Sequence, residues 1–211
     1  FTELLYIFGF DRINMPGEGG APAADSGDYP SYTMDQGTLA ANTPAPTIIV
    51  DEDDEYFLSL TNTGMIMRPD LFDPHTVHFH GFPQSSTVFD GLPESGISIN
   101  MGASLTYYYN LVEPGTFMYH CHVEATEHMQ MGMLGNLYVA PKQDGTDFGD
   151  GRTSFAYNDG DGATAYAVEY PLQIHSFDPV FHNNNLLVQP LPFAEMHDVY
   201  PMLNGRGYPD T

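Results

Sequence analysis

Six of the nine histidines in this chain, its single cysteine and one methionine fall into two short clusters. The first reads His75-x-x-His78-x-His80. The second, forty residues on, reads His120-Cys121-His122 and continues to His128 and Met133. Sulfur ligands combined with imidazole select copper, and one Cys with two His and a weak axial Met makes a blue-copper electron-transfer site. His75, Cys121, His128 and Met133 form such a set. His78, His80, His120 and His122 form a second set, all imidazole, suited to copper that meets oxygen. Cys121 is joined through the backbone to His120 and His122, so an electron arriving at the sulfur has a short covalent route to metal held by its neighbours.

A lone histidine is more often structural than a ligand. Two His-x-His pairs, one enclosing the only cysteine, have no comparable bland account. Met129 and Met131 read as packing residues near the site. His175, His182 and His197 lack the His-x-His spacing and read as structural or exposed.

The elements that must position these side chains are short apolar or alternating runs separated by Gly, Pro, Asn and Asp, which predicts an all-β sandwich. Strands are expected at Leu4–Phe10, Thr47–Val50, Tyr56–Asn62, Thr76–Phe82, Ser104–Leu111, Gly115–His122 and Leu134–Val139. The stretch Pro16 to Pro46, rich in Gly, Pro, Ala and Ser, reads as mostly loop. Side chains alternate across a strand. His78 and His80 therefore share one face, His120 and His122 share one face, and Cys121 points to the opposite side. Thr126–Met131 fits a short helical turn that brings His128 and Met133 back toward Cys121.

Beyond Pro141 the composition shifts. Residues 1–141 read as the domain carrying the copper ligands, and 142–164 as an Asp/Gly-rich linker. Residues 165–211 read as the start of a second domain that stops short, with strand pattern at Tyr166–Ile174. Asp159-Gly160-Asp161-Gly162 matches the opening of a calcium loop but lacks the later ligands and the terminal Glu.

At 211 residues the chain is long enough for one good core and part of a second. Its 28 acidic residues against 5 Lys plus Arg give a formal charge of −23, which disfavours nucleic acid and anionic membranes as partners. The acids are spread along the chain, which argues against a disordered acidic tail. Such acidity suits high salt, cationic donors, or simple solubility outside the cytoplasm. One cysteine makes no internal disulfide, and no stretch is long and apolar enough to span a bilayer. The opening Phe1-Thr2-Glu3-Leu4, without Met or a basic region, suggests a mature periplasmic or extracellular form.

These residues resemble the multicopper oxidases, the family that includes laccases and copper-dependent metal oxidases. Pro44-Ala45-Pro46-Thr47-Ile48 is similar to that family's early Pro-Gly-Pro-Thr-Ile segment, and His75–Gly81 to its HxxHxHG strand. Gly115-Thr116-Phe117-Met118-Tyr119-His120 is similar to the approach to its HCH segment. Met202–Thr211 is similar to the Asn-Gly-Arg-x-x-Pro-Asp-Thr segment found early in a following domain. The resemblance implies a cupredoxin-like Greek-key β-sandwich followed by the beginning of another cupredoxin-like domain.

It also implies copper. His75, Cys121, His128 and Met133 would be type 1 ligands, His78 a type 2 ligand, and His80, His120 and His122 ligands of a type 3 pair. Asp90, in Phe89-Asp90-Gly91, matches an acid that assists proton delivery near the trinuclear cluster, although a turn-forming Asp-Gly explains it equally well. Five residues separate His122 from His128, where laccases usually have three, so the loop over the type 1 copper is longer.

The implied activity is one-electron oxidation of a phenol or metal ion coupled to reduction of dioxygen to water. In the family the trinuclear cluster takes histidines from two domains, and this chain supplies half of them. The rest must come from downstream sequence or another subunit, as in a homotrimer. Two alternatives remain: a copper nitrite reductase, against which His122 counts, and a non-catalytic blue-copper electron-transfer subunit.

Overall fold

Alternating apolar and polar side chains in Glu55–Thr61 (β2) and Ser104–Asn110 (β4) give a strand pair that buries one face and wets the other. In the computed structural model, which describes residues 4–81 and 86–210, this antiparallel pair forms one layer of a sandwich. The facing layer is a four-stranded sheet of Ile48–Asp51 (β1), His78–Phe79 (β3), Gly115–His120 (β5) and Leu134–Ala140 (β6), in the order β1-β6-β5-β3. β1 runs parallel to β6, while β5 is antiparallel to both β6 and β3.

Between the layers lie Val77, Phe79, Tyr107, Tyr109, Leu111, Leu137 and Val139, all buried. Phe79 of β3 stacks on Tyr109 of β4 with ring centroids 4.1 Å apart, which ties the four-stranded sheet to its partner. The sandwich expected from the alternation is present.

Several expectations need correction. Leu4–Phe10 makes no strand pairing among the described residues; it buries Phe8 and Phe10 while Leu4 stays exposed. The loop-rich stretch before Pro46 contains a helix, Tyr29–Gly37 (α1), with a proline in its first turn, where a missing N–H costs nothing. The strand expected at Thr76–Phe82 is regular only at His78–Phe79, although the His80 N–H still reaches the Met118 carbonyl at 2.8 Å; His75, just before it, bridges Ile99. Phe82 lies outside the described residues. The helical turn expected near His128 is a helix, Ala125–Met131 (α2).

In the later part, two short strands, Ser154–Phe155 (β7) and Ala165–Tyr166 (β8), pair with one another. The expected strand Tyr166–Ile174 is not continuous: β8 ends at Tyr166, and pairing resumes only at Ile174–Phe177 (β9), past Pro171. β9 joins Tyr200–Leu203 (β10) and Arg206–Gly207 (β11) in a sheet of order β11-β10-β9. A further helix, Pro179–Leu186 (α3), is capped by Asp178, whose side chain accepts the N–H of Val180 and Phe181.

Asp159 uses its carboxylate on the N–H groups of Gly162 and Thr164 and on the Gln143 amide. Its oxygens brace a turn, and the calcium-loop similarity ends there.

The later segment is fastened to α2 through Gln130. Its amide oxygen accepts the N–H of Asp178 at 3.0 Å and its amide nitrogen donates to Asp198 at 2.9 Å. Its main-chain carbonyl faces the His182 ring at 3.0 Å.

Candidate metal centres

β3 and β5 place His78 directly opposite His120 in the ladder. With a side-chain period of two, His120 and His122 then lie beside His78 and His80, and Cys121 turns to the other side of the sheet. The structure separates the two candidate sets across the sheet, following the alternation of strand side chains.

On the buried side, His75, Cys121 and His128 bring their ligand atoms within 4.8 Å of one another. The Cys121 sulfur lies 3.2 Å from His128 Nδ1 and 3.9 Å from His75 Nδ1. The two Nδ1 atoms are 3.4 Å apart. Cys121 and His128 are fully buried, and the Phe8 ring lies against both imidazoles. Met133, also buried, is held next to Cys121 through its carbonyl, which accepts the Cys121 N–H at 3.2 Å. Met133 and His75 both line a cleft of about 180 Å³.

The local chain explains how His128 returns to the cysteine. Glu124 adopts a left-handed conformation (φ 44°) that reverses the chain into α2. Gly132 (φ 127°) ends the helix where a side chain would crowd the Phe8 carbonyl, 3.3 Å from a Cβ.

Electrostatics suit a soft cation. Burial alone would raise the Cys121 thiol, but hydrogen bonds from His128 and His75 outweigh it and hold the thiol below its ordinary value. Burial disfavours charge on His128, yet Asp73 and Cys121 hold its proton well above the usual histidine range. The pair favours thiolate and imidazolium, which is the charge state a metal exchanges for its own.

On the other side, His78, His80 and His120 converge within 4.8 Å. His80 Nε2 and His120 Nε2 lie 2.8 Å apart. His122 is not in that closest group. Its ring centroid lies 5.2 Å from His78 and 5.7 Å from His120, and its Nδ1 is buried without a hydrogen-bond partner among the described residues. Burial pushes His120 down to about 4 and lowers His80 as well. Neutral imidazoles are what a metal binds.

Asp90 meets His78 twice. Its carbonyl lies 2.5 Å from His78 Nδ1 and its carboxylate 3.5 Å away. Gly91 (φ +75°) packs so tightly that a Cβ would sit 2.1 Å from the Val77 carbonyl. Only glycine lets this turn press against β3. Asp90 thus stands beside the imidazole set both as a turn residue and as a carboxylate neighbour.

Of the other residues read from sequence, Met131 is buried core, and His182 is buried between the Tyr6 carbonyl and Gln130. His197 is exposed, and His175 is half-buried against Phe177. Sequence reasoning missed Asp73 and Thr76. An Asp73 oxygen lies 3.2 Å from His128 Nε2. Thr76 donates its N–H to the Cys121 sulfur at 3.4 Å. Neither carries a motif of its own, although both flank His75 within two residues.

A sequence profile of the multicopper oxidases matches residues 30–144, more than half of the chain. The chain belongs to the multicopper oxidase family. A laccase of Emericella nidulans, Laccase-1, is 35% identical over 103 residues, spanning 48% of this chain and 15% of that protein. The solved blue copper oxidase from Nitrosomonas europaea is 28% identical with a TM-score of 0.59, over 80% of this chain and 46% of that one. The multicopper oxidase mgLAC is 26% identical with a TM-score of 0.58 and the same coverage. The chain therefore spans about 15% of the curated laccase and just under half of the two solved oxidases. The shared fold is the all-β cupredoxin-like domain, and family membership implies copper.

The donor sets fit that metal. One buried cysteine and two histidines meet on one side of the sheet, with the buried Met133 joined to that cysteine through its main chain, and a cluster of histidines meets on the other.

Proposed function

We propose that this chain carries the type 1 site and half of the trinuclear site of an oxidase that takes single electrons from a donor and reduces dioxygen to water. Bound copper would supply the one-electron chemistry at the first site and the oxygen chemistry at the second. The observation that carries the reading is the placement of Cys121. Its sulfur faces His75 and His128, while the rings of its two chain neighbours face His78. His75, Cys121, His128 and Met133 would hold type 1 copper. His78 would serve the type 2 position, and His80, His120 and His122 the type 3 pair.

This chain's own groups prepare those sites. Asp90 engages Nδ1 of His78, which leaves Nε2 as the free ligand atom, and its carboxylate is placed to hold a proton beside the cluster. Burial keeps His120 neutral. Phe8 and the surrounding core exclude water from Cys121.

The remaining cluster histidines would come from sequence beyond this chain or from another subunit, with a homotrimer as the expected assembly. Residues 165–211 would begin a second domain, a reading supported by the exposed Val168, Tyr170, Leu172 and Ile174. The donor would be a phenol or a metal ion. A periplasmic or extracellular location fits this chemistry, and no helix among the described residues is long and apolar enough to cross a membrane. A nitrite reductase fits less well, because the ring of His122 lies against His78 and His120.

Copper quantitation with electron paramagnetic resonance on the assembled protein tests the reading. Type 1 and type 2 signals with further, silent copper are expected. A type 1 signal alone, with one copper per chain, would overturn the oxidase and leave an electron carrier.

A further inference from the structure

We infer that Asp73 is a positioning residue for the type 1 site, acting through His128; this rests on the type 1 reading above. His128 is fully buried and uses its two ring nitrogens differently. Nδ1 faces the Cys121 sulfur at 3.2 Å. Nε2 is buried with no hydrogen bond satisfied among the described residues, and an Asp73 oxygen stands 3.2 Å from it. An imidazole that ligates through Nδ1 must carry its hydrogen on Nε2, and a buried N–H needs an acceptor. Asp73 is that acceptor. It selects the tautomer, fixes the ring plane, and adds negative charge behind the ligand, which makes the imidazole a stronger donor.

The backbone is built to hold this acid still. The Asn62 side chain donates to the Asp73 carbonyl at 2.8 Å and to the Ile99 carbonyl at 2.9 Å. Ile99 in turn exchanges two main-chain hydrogen bonds with His75. One buried amide therefore ties the segment that delivers the acid to the bridge that delivers the other histidine ligand. Asp73, Pro74 and His75 are consecutive, so a single turn supplies one ligand and orients a second that lies 53 residues away.

The test compares copper-loaded protein with its Asp73→Asn and Asp73→Leu variants. The readouts are the thiolate-to-copper absorption, the reduction potential and copper affinity, with circular dichroism of the metal-free proteins as the folding control. Asparagine still accepts the Nε2 hydrogen but lacks the charge. It should keep the absorption band, raise the potential and weaken affinity. Leucine loses both functions and should weaken affinity by about ten- to a hundredfold and alter the band. Unchanged potential and affinity in the asparagine variant would overturn the inference, as would a folded leucine variant with an unaltered band. Absence of any thiolate-to-copper band in the unsubstituted protein would sink the type 1 reading itself, and this inference with it.

Discussion

Thr76 holds Cys121 by its backbone: the Thr76 N–H points at the sulfur from 3.4 Å, inside a wholly buried environment. The hydroxyl of the same residue accepts the N–H of His122 at 3.0 Å. One residue thereby braces the thiolate on one side of the sheet and the imidazole strand on the other.

Thr76→Val keeps the main-chain bond to sulfur and removes the hydroxyl acceptor. The expected result is an unaltered thiolate-to-copper band with stability lowered by about 1–3 kcal/mol, the cost of leaving a buried N–H unmet. Denaturant unfolding of the metal-free protein measures it. A variant as stable as the parent would show that the His122 N–H finds water.

Removal of the sulfur is the sharper test of the first site. Cys121→Ser should abolish the visible thiolate band and lower bound copper by one per chain, while the sandwich still folds, since a hydroxyl nearly matches the thiol in size. Copper analysis beside far-ultraviolet circular dichroism reads both. Persistence of the band would mean that the chromophore lies elsewhere.

Copper should also stabilise the fold, because the candidate ligands come from segments far apart in the chain, His128 from a helix, and converge only in the folded chain. At free copper a hundred times its dissociation constant the gain is about 2.7 kcal/mol per site. A chelator should therefore lower the melting temperature, and no shift would mean that the site does not load.

Acid should weaken the metal-free protein. Burial holds His175 below the ordinary histidine range, and both of its ring nitrogens are buried without hydrogen-bond partners among the described residues. The unfolded chain then takes up the proton more readily than the folded one. The contribution is fully present above the unfolded value of 6.5 and is lost as pH falls toward the folded value. His175→Leu should lose less stability than the parent between neutral and mildly acid pH. Equal losses would place the acid sensitivity at other histidines, of which His182 is also lowered by burial.

Asp178→Ala removes the cap of α3 and the acceptor for the His197 N–H. The expected cost is about 0.5–2 kcal/mol for the cap alone, read as a shift in the denaturant midpoint. A neutral result would mean that water replaces the carboxylate.

What could be read from sequence was whatever obeys a short period. His-x-His and His-Cys-His declare their faces because strand side chains alternate, and the structure sorts them accordingly. α1 hid in a stretch dominated by Gly, Pro and Ala, where local composition argues for loop and its own apolar face is weak. Leu4–Phe10 has the hydrophobicity of a strand, but its Phe8 ring is spent on the two buried histidines, without any ladder partner. Asp73 could not be found by spacing, since its meaning depends on a residue far along the chain that only folding brings to it.

Gln130 stands two residues after His128 and three before Met133, gripping Asp178, Asp198 and His182. The helix that carries His128 and leads into Met133 is therefore also the anchor point of the following segment. A change in how that segment docks is expected to shift His128 and Met133 with it, and under the copper reading it would register as a change in the thiolate-to-copper band.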